Sequence, residues 1–189
     1  MVAIAREREP GLPVFLLGHS AGGVAAAIYV LDNPSAVSGF ICESFAFQVP
    51  APSFAIAAIK GLSHIAPHLP ILKLKNADFS RDPAAVAAFD GDPLIANETQ
   101  PALTVAALAR ADGRLHDSFG QITIPLLVLH GTADKATVCH GSEFFVANAG
   151  SRDKTLKLYE GHYHDLLADA GREGVMADIV GWIEARLPA

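Results

Sequence analysis

Apolar residues fall along this chain in short runs, each closed by a cluster of small or polar residues. Val14–Leu17 is the first clear run, preceded by Gly-Leu-Pro and stopped by Gly18, and it reads as a buried strand. Ala21–Asn33 follows, rich in alanine and glycine and closed by Pro34, and reads as a helix. Val37–Phe47 is apolar again, with a second strand through Phe40–Cys42. Pro125–His130 (PLLVLH) is a third strand, followed by the loop Gly131–Asp134. Leu156–Tyr159 is a fourth, followed by Glu160–Asp165. Gly141–Ala149 reads as a helix. Val175, Ile179, Val180 and Ile183 form a helical stripe within Val175–Leu187. Strands that alternate with helices predict a mostly parallel sheet covered on both faces. The opening MVAIA with Arg6–Glu9 reads as the last turns of a helix.

The rhythm breaks between Pro50 and about Gln121, where Pro52, Pro67, Pro70, Pro83, Pro93 and Pro101 interrupt the chain. Phe54, Ala58, Leu62 and Ile65 fall on one helical face, with Ala55, Ile59 and Ala66 beside it. This stretch is expected to be an insertion of short helices placed over the strand ends. A lid over a site and ordinary packing against the sheet are both open on composition alone.

Composition narrows the function classes. Half of the 189 residues are hydrophobic (51%) and the mean hydropathy is +0.31, so a packed core is expected rather than disorder. No apolar run reaches the roughly 20 residues a membrane span needs. A formal net charge of -6 without a Lys/Arg cluster argues against a nucleic-acid surface. Cys42 and Cys139 have no metal-like spacing and are read as free thiols, which fits a reducing cytoplasm. No signal peptide precedes the first strand, and Asn97-Glu98-Thr99 is read as a chance match to a glycosylation acceptor.

Gly18-His19-Ser20-Ala21-Gly22 fits G-x-S-x-G at the point where a strand turns into a helix. Such a turn strains the serine backbone, demands small neighbours and lifts the hydroxyl clear of the sheet. The helix start then offers backbone N–H groups to a developing oxyanion. The same stretch lacks G-x-G-x-x-G spacing and a Walker lysine, against a nucleotide-binding reading. A serine nucleophile needs a histidine base and a carboxylate to orient it, supplied from loops after later strands in the order Ser, Asp, His. Asp134, in GTAD after PLLVLH, and His164, in EGHYH after LKLY, stand in that order. His162 is the rival base, two residues away. Asp153 and Asp165 are rival acids, but neither has a post-strand loop of its own. His19, next to the nucleophile, is expected to point away from it, and His130 is expected to serve packing. His162-x-His164 with Asp165 shows no third ligand, so neither a metal nor a cofactor is expected.

GHSAGG, LLVLHGTAD, KTLKLYEGHYH and the intervening DPLI at Asp92–Ile95 are similar to the monoacylglycerol lipase and lysophospholipase group of α/β-hydrolases, of the S33 serine aminopeptidase type. The resemblance covers nearly the whole chain from Pro13. It implies Ser20 as nucleophile, Asp134 as orienting acid, His164 as base at the end of the EGxYH stretch, and the Ala21 N–H as an oxyanion donor. It implies a single α/β-hydrolase domain over 1–189 with a helical, lipid-facing cap over 49–114. Ala21 departs from the methionine many members carry there, with little expected effect, since the backbone N–H acts. The resemblance also implies upstream strands and a loop with a second oxyanion donor that this sequence does not contain, so the chain reads as the C-terminal part of a longer hydrolase.

The expected activity is hydrolysis of a lipid carboxylic ester, monoacylglycerol or lysophospholipid, in the cytoplasm with peripheral membrane contact through the cap. A short-chain carboxylesterase is the nearest alternative, ahead of haloperoxidase-like or peptidase activity. A catalytically impaired fragment acting as an interaction module is a further one. With strands missing, Val14–Leu17 would form an exposed apolar edge prone to self-association.

Overall fold

Four strands set the frame of the chain in a computed structural model that describes residues 1–48, 52–96 and 98–188. They are β1 (Phe15–His19), β2 (Gly39–Glu43), β5 (Leu126–Gly131) and β6 (Lys154–Tyr159), all parallel in the order β1-β2-β5-β6. The register runs Leu17↔Ile41, Ile41↔Leu127 and Val128↔Leu156. β2 and β5 lie in the middle and are buried at every position, while β1 and β6 flank them and are partly exposed. Their near-continuous apolar sequences follow from this, because both faces of a parallel sheet are covered.

Alternation along the two central strands builds two cores. Phe40, Cys42, Leu126 and Val128 face the side where Val24, Ala27, Val30, Phe45 and Phe145 pack, under α2 (Ala21–Asp32) and α6 (Cys139–Asn148). Ile41, Leu127 and Leu129 face the other side, against Leu166, Val175, Ile179 and Trp182, the last three on α7 (Arg172–Glu184). The glycines of the elbow let α2 approach closely: a Cβ on Gly18 would lie 2.7 Å from the Gly22 carbonyl oxygen, and one on Gly23 2.9 Å from Cys42 Sγ. The N-terminal helix α1 (Val2–Arg8) buries none of its residues.

Between β2 and β5 the chain forms α3 (Ser53–Ile65), a small antiparallel pair of β3 (Pro70–Leu72) with β4 (Gln100–Pro101), α4 (Pro83–Gly91) and α5 (Ala102–Ser118). α5 runs without a break through Arg114 to Ser118 and packs against α2, burying Ala102, Val105, Ala106, Ala109 and Leu115. The inserted segment therefore merges into the core within one helix. Its expected start at Val49 and Pro50, like the Asn97 acceptor, lies outside the described residues.

The α3 stripe faces largely outward. Phe54, Ala58 and Ile65 are exposed, Phe54 at 75% and Ile65 at 86%, and the buried residue is Ser63. α3 rests chiefly on α5, through the side carrying Ile56, Ile59 and Ser63. A helix with apolar residues all round does not declare which side packs, and the partner surface decides.

Candidate active site

β1 delivers Ser20 at the sheet's C-terminal edge, where open parallel sheets carry their sites. Ser20 takes φ 53 and ψ -123, a left-handed backbone held at the N-cap of α2. Hydrogen bonds fix this strained residue: its N–H donates to the Glu43 carbonyl at 2.9 Å, and its own carbonyl accepts from the N–H groups of Gly23 at 2.9 Å and Ala46 at 3.4 Å. Ala21 is the first residue of α2, so its N–H has no acceptor within the helix.

The loop after β6 brings His164 to the serine. His164 Nε2 lies 2.9 Å from Ser20 Oγ, and Nδ1 lies 2.8 Å from Asp134 Oδ2. His164 is fully buried. The edge-on ring of Phe79 packs against it at 4.9 Å between centroids, and Asp165 N–H donates to the Phe79 carbonyl at 2.8 Å.

The loop after β5 brings Asp134. Oδ1 accepts from the backbone N–H groups of Ala136 (2.7 Å) and Thr137 (3.0 Å). Oδ2 accepts from Thr137 Oγ1 (2.7 Å) and faces His130 Nε2 at 3.0 Å. Burial alone would push the Asp134 carboxyl upward. The hydrogen bonds from His130 and His164, the charge of His164 and the Thr137 N–H outweigh it, and hold the group far below the usual carboxylate range. An acid held ionised this firmly can orient an imidazole and stabilise its cation without taking the proton.

Glu43, fully buried at the end of β2, accepts from Leu166 N–H at 2.8 Å and pairs with His19 Nδ1. Ser44 Oγ, 3.0 Å from Glu43 Oε1, also lies 2.5 Å from the His164 carbonyl. This strap fixes the backbone immediately after His164. Neither its role nor that of Thr137 was foreseen from sequence; the available signal for Glu43 was one carboxylate in the apolar run GFICES. His19 lines the same cavity as Ser20 rather than turning from it, its ring 5.0 Å from that of His164. Burial pulls the His19 imidazole down, but the hydrogen bond and charge of Glu43, with Asp165 and Asp134 adding, lift it above the ordinary histidine value.

Of the rival residues, His162 and Asp153 lie elsewhere, and Asp165 lies at the cavity. His162 sits 3.4 Å from Asp169 Oδ2 and beside Tyr159. Asp153 pairs with Arg186 at the surface. Asp165 borders the cavity beside His19, raised by burial, with the His19 charge opposing and the Glu43 charge adding. Among the described residues, His19, Glu43 and Asp165 place donor atoms within 4.8 Å of one another. The His19–Glu43 hydrogen bond already engages two of the three.

A cavity of about 650 Å³ opens from Ser20. Its walls come from the elbow and from the inserted segment, with Leu72, Phe79, Phe89, Ile95, Val105 and Leu108 supplying apolar surface. The segment is moored at one end to the loop that carries His164. Asp169, buried, accepts from Arg81 N–H (2.6 Å), Arg81 Nε (2.8 Å) and Tyr163 N–H (3.0 Å), and Ser80 Oγ donates to the Ala168 carbonyl at 2.9 Å.

Comparison with known proteins places this architecture. The family described as Serine aminopeptidase, S33 matches residues 1–171. The chain belongs to that family. Two relatives of the S33 chain are the monoacylglycerol lipase of Mycolicibacterium smegmatis, 32% identical, and the human monoglyceride lipase, 33% identical. The matches cover 99% and 94% of this chain but 68% and 60% of those proteins, so the S33 chain spans about two thirds of their length or less. The crystal structure of Paleococcus ferrophilus monoacylglycerol lipase superposes with a TM-score of 0.85 at 30% identity, over 98% of this chain and 74% of that one. A soluble variant of the Saccharomyces cerevisiae monoglyceride lipase shares the α/β-hydrolase fold at a TM-score of 0.84 and 21% identity, over 100% of this chain and 66% of that one.

Proposed function

We propose that this chain carries the catalytic centre of a serine hydrolase that cleaves carboxylic esters of lipids, with monoacylglycerol or lysophospholipid as substrate. The observation that carries the reading is the unbroken line from Ser20 Oγ through both nitrogens of His164 to Asp134, at 2.9 and 2.8 Å. In it His164 Nε2 takes the Ser20 proton as Oγ attacks the acyl carbonyl. The Ala21 N–H meets the oxyanion, and Asp134 stabilises the imidazolium. The C–O bond to the alcohol breaks as His164 returns its proton to the leaving oxygen. Water, deprotonated by His164, then releases the fatty acid and frees Ser20.

The apolar cavity shared by the elbow and the inserted segment supports an acyl chain as the bound group, with that segment serving as cap. Phe54 and Ile65, exposed on α3, support peripheral membrane contact of a cytoplasmic protein through the cap. No described helix is long and apolar enough to cross a membrane. Leu17, 40% exposed on the β1 edge, supports self-association there.

The test is intact-mass labelling of the chain with a fluorophosphonate, beside Ser20→Ala and His164→Ala, followed by hydrolysis of acyl esters of graded length. One adduct, lost in both variants, with turnover rising toward long chains, supports the lipid reading. Turnover confined to short acyl groups means a carboxylesterase. A folded chain with no adduct overturns the assignment.

A further inference from the structure

His130 has no task in the reaction above, yet it touches the acid. It sits one residue before the end of β5, and its side chain is 0% exposed. Its Nε2 lies 3.0 Å from Asp134 Oδ2, the oxygen that also faces His164 Nδ1 at 2.8 Å and Thr137 Oγ1 at 2.7 Å. Its Nδ1 lies 2.7 Å from Ser142 Oγ, also fully buried, on α6. Packing alone does not call for such a residue. A leucine would fill the strand between Leu129 and Gly131 without removing two ring nitrogens from water.

The order of protons along this line follows from what each group can do. The ionised Asp134 carboxylate only accepts, so His130 Nε2 carries a hydrogen. With Nδ1 as acceptor, the Ser142 hydroxyl donates to it. The chain therefore runs Ser142 Oγ–H to His130 Nδ1, and His130 Nε2–H to Asp134 Oδ2. Two imidazoles then share one carboxylate oxygen, and Ser142 prevents the outer ring from turning.

We propose that His130, held by Ser142, is a positioning residue for the triad: it fixes the Asp134 carboxylate and draws off part of its charge, and so sets how strongly the base holds a proton. This rests on the hydrolase reading above. Without the outer donor, more of the Asp134 charge falls on His164. The imidazolium is then favoured, and the acid limb of the rate profile moves to higher pH. The other charged and titratable groups facing His164 are His19, with Glu43 behind it, and Asp165. All stay in place when residue 130 changes.

The experiment measures the rate of fluorophosphonate labelling of the full chain from about pH 5 to 9, for the parent, His130→Leu, His130→Gln and Ser142→Ala. His130→Leu is expected to raise the acid limb by about half to one pH unit and to slow the plateau rate about tenfold. A glutamine places an amide N–H near the position of His130 Nε2, so His130→Gln is expected to return the limb to within about 0.2 unit of the parent. A folded His130→Leu variant with the parental limb overturns the proposal, and so does a His130→Gln limb displaced as far as that of His130→Leu. Should His130→Leu not fold, Ser142→Ala decides: a smaller shift in the same direction supports the proposal, and an unmoved limb overturns it. A parent chain that takes no adduct overturns the hydrolase reading itself, whereas a labelled parent with unmoved variants overturns only the role of His130.

Discussion

Gly131 offers a sharp test of how the base is held. β5 ends at Gly131, directly beneath the loop that carries His164. A Cβ at Gly131 would lie 2.3 Å from the His162 carbonyl oxygen and 2.5 Å from that of Tyr163, where ordinary contact begins at 3.4 Å. In Gly131→Ala the loop must therefore retreat by about 1 Å. It cannot do so freely. Ala133 N–H holds the His162 carbonyl at 3.0 Å, Asp165 N–H is bound to Phe79 at 2.8 Å, and Leu166 N–H to Glu43 at 2.8 Å. The shift is passed to His164 and stretches its 2.9 Å contact with Ser20 beyond hydrogen-bonding range. A misplacement of about 1 Å costs on the order of 100-fold in rate. Overpacking of this kind removes about 1–3 kcal/mol of stability. Labelling rates at saturating fluorophosphonate and urea denaturation read the two effects. Gly113→Ala is the control: nothing lies within 4 Å of its added methyl in the middle of α5, so labelling is unchanged and stability rises by about 0.5–1 kcal/mol. A Gly131→Ala chain that labels within about threefold of the parent would refute the reasoning.

Four further outcomes follow from the same contacts. Asp134→Asn removes the charge that orients His164 and is expected to slow turnover by about four orders of magnitude with little change in fold, read by hydrolysis and circular dichroism. Asp169→Ala strands Arg81 and two backbone N–H groups and costs about 3 kcal/mol, measured by urea denaturation. His19 has a raised folded-state value, so its link to Glu43 stabilises fully below the ordinary histidine pKa of about 6.5 and fades as pH rises through that raised value. The stability gap between the parent and His19→Gln should therefore narrow from about pH 6.5 upward, and a gap that widens there contradicts the assignment. Phe54→Ser with Ile65→Ser changes stability by less than about 0.5 kcal/mol, since both side chains face solvent, but is expected to reduce sedimentation with phospholipid vesicles.

The parts of this molecule visible in the sequence are those whose signal is local. The strands ending at Leu17, Cys42, His130 and Tyr159 could be read from apolar runs and their breakers. The structure carries the first strand two residues further and the second and third one residue further, because ladder pairing with a neighbour extends a strand past its apolar stretch. Ser20, Asp134 and His164 could be named because each follows a strand, and their meeting point is a property of parallel topology. Glu43 and Ser142 could not. Glu43 acts on Leu166, 123 residues away, and Ser142 reaches the site only through His130. Which way the α3 stripe faces is not legible for a related reason, since the partner of α3 is another helix of the same insertion.

The mooring of Ser80 and Arg81 to Asp169 bears on how such proteins can diversify. An inserted segment exchanged between relatives to alter the cavity brings a new Phe79–Arg81 stretch, and with it a new seat for His164. Transplants that keep Phe79, Ser80 and Arg81 with the recipient change what the enzyme accepts. Transplants that replace them also change how well it works, and the loss would be mistaken for a poor match between substrate and grafted segment.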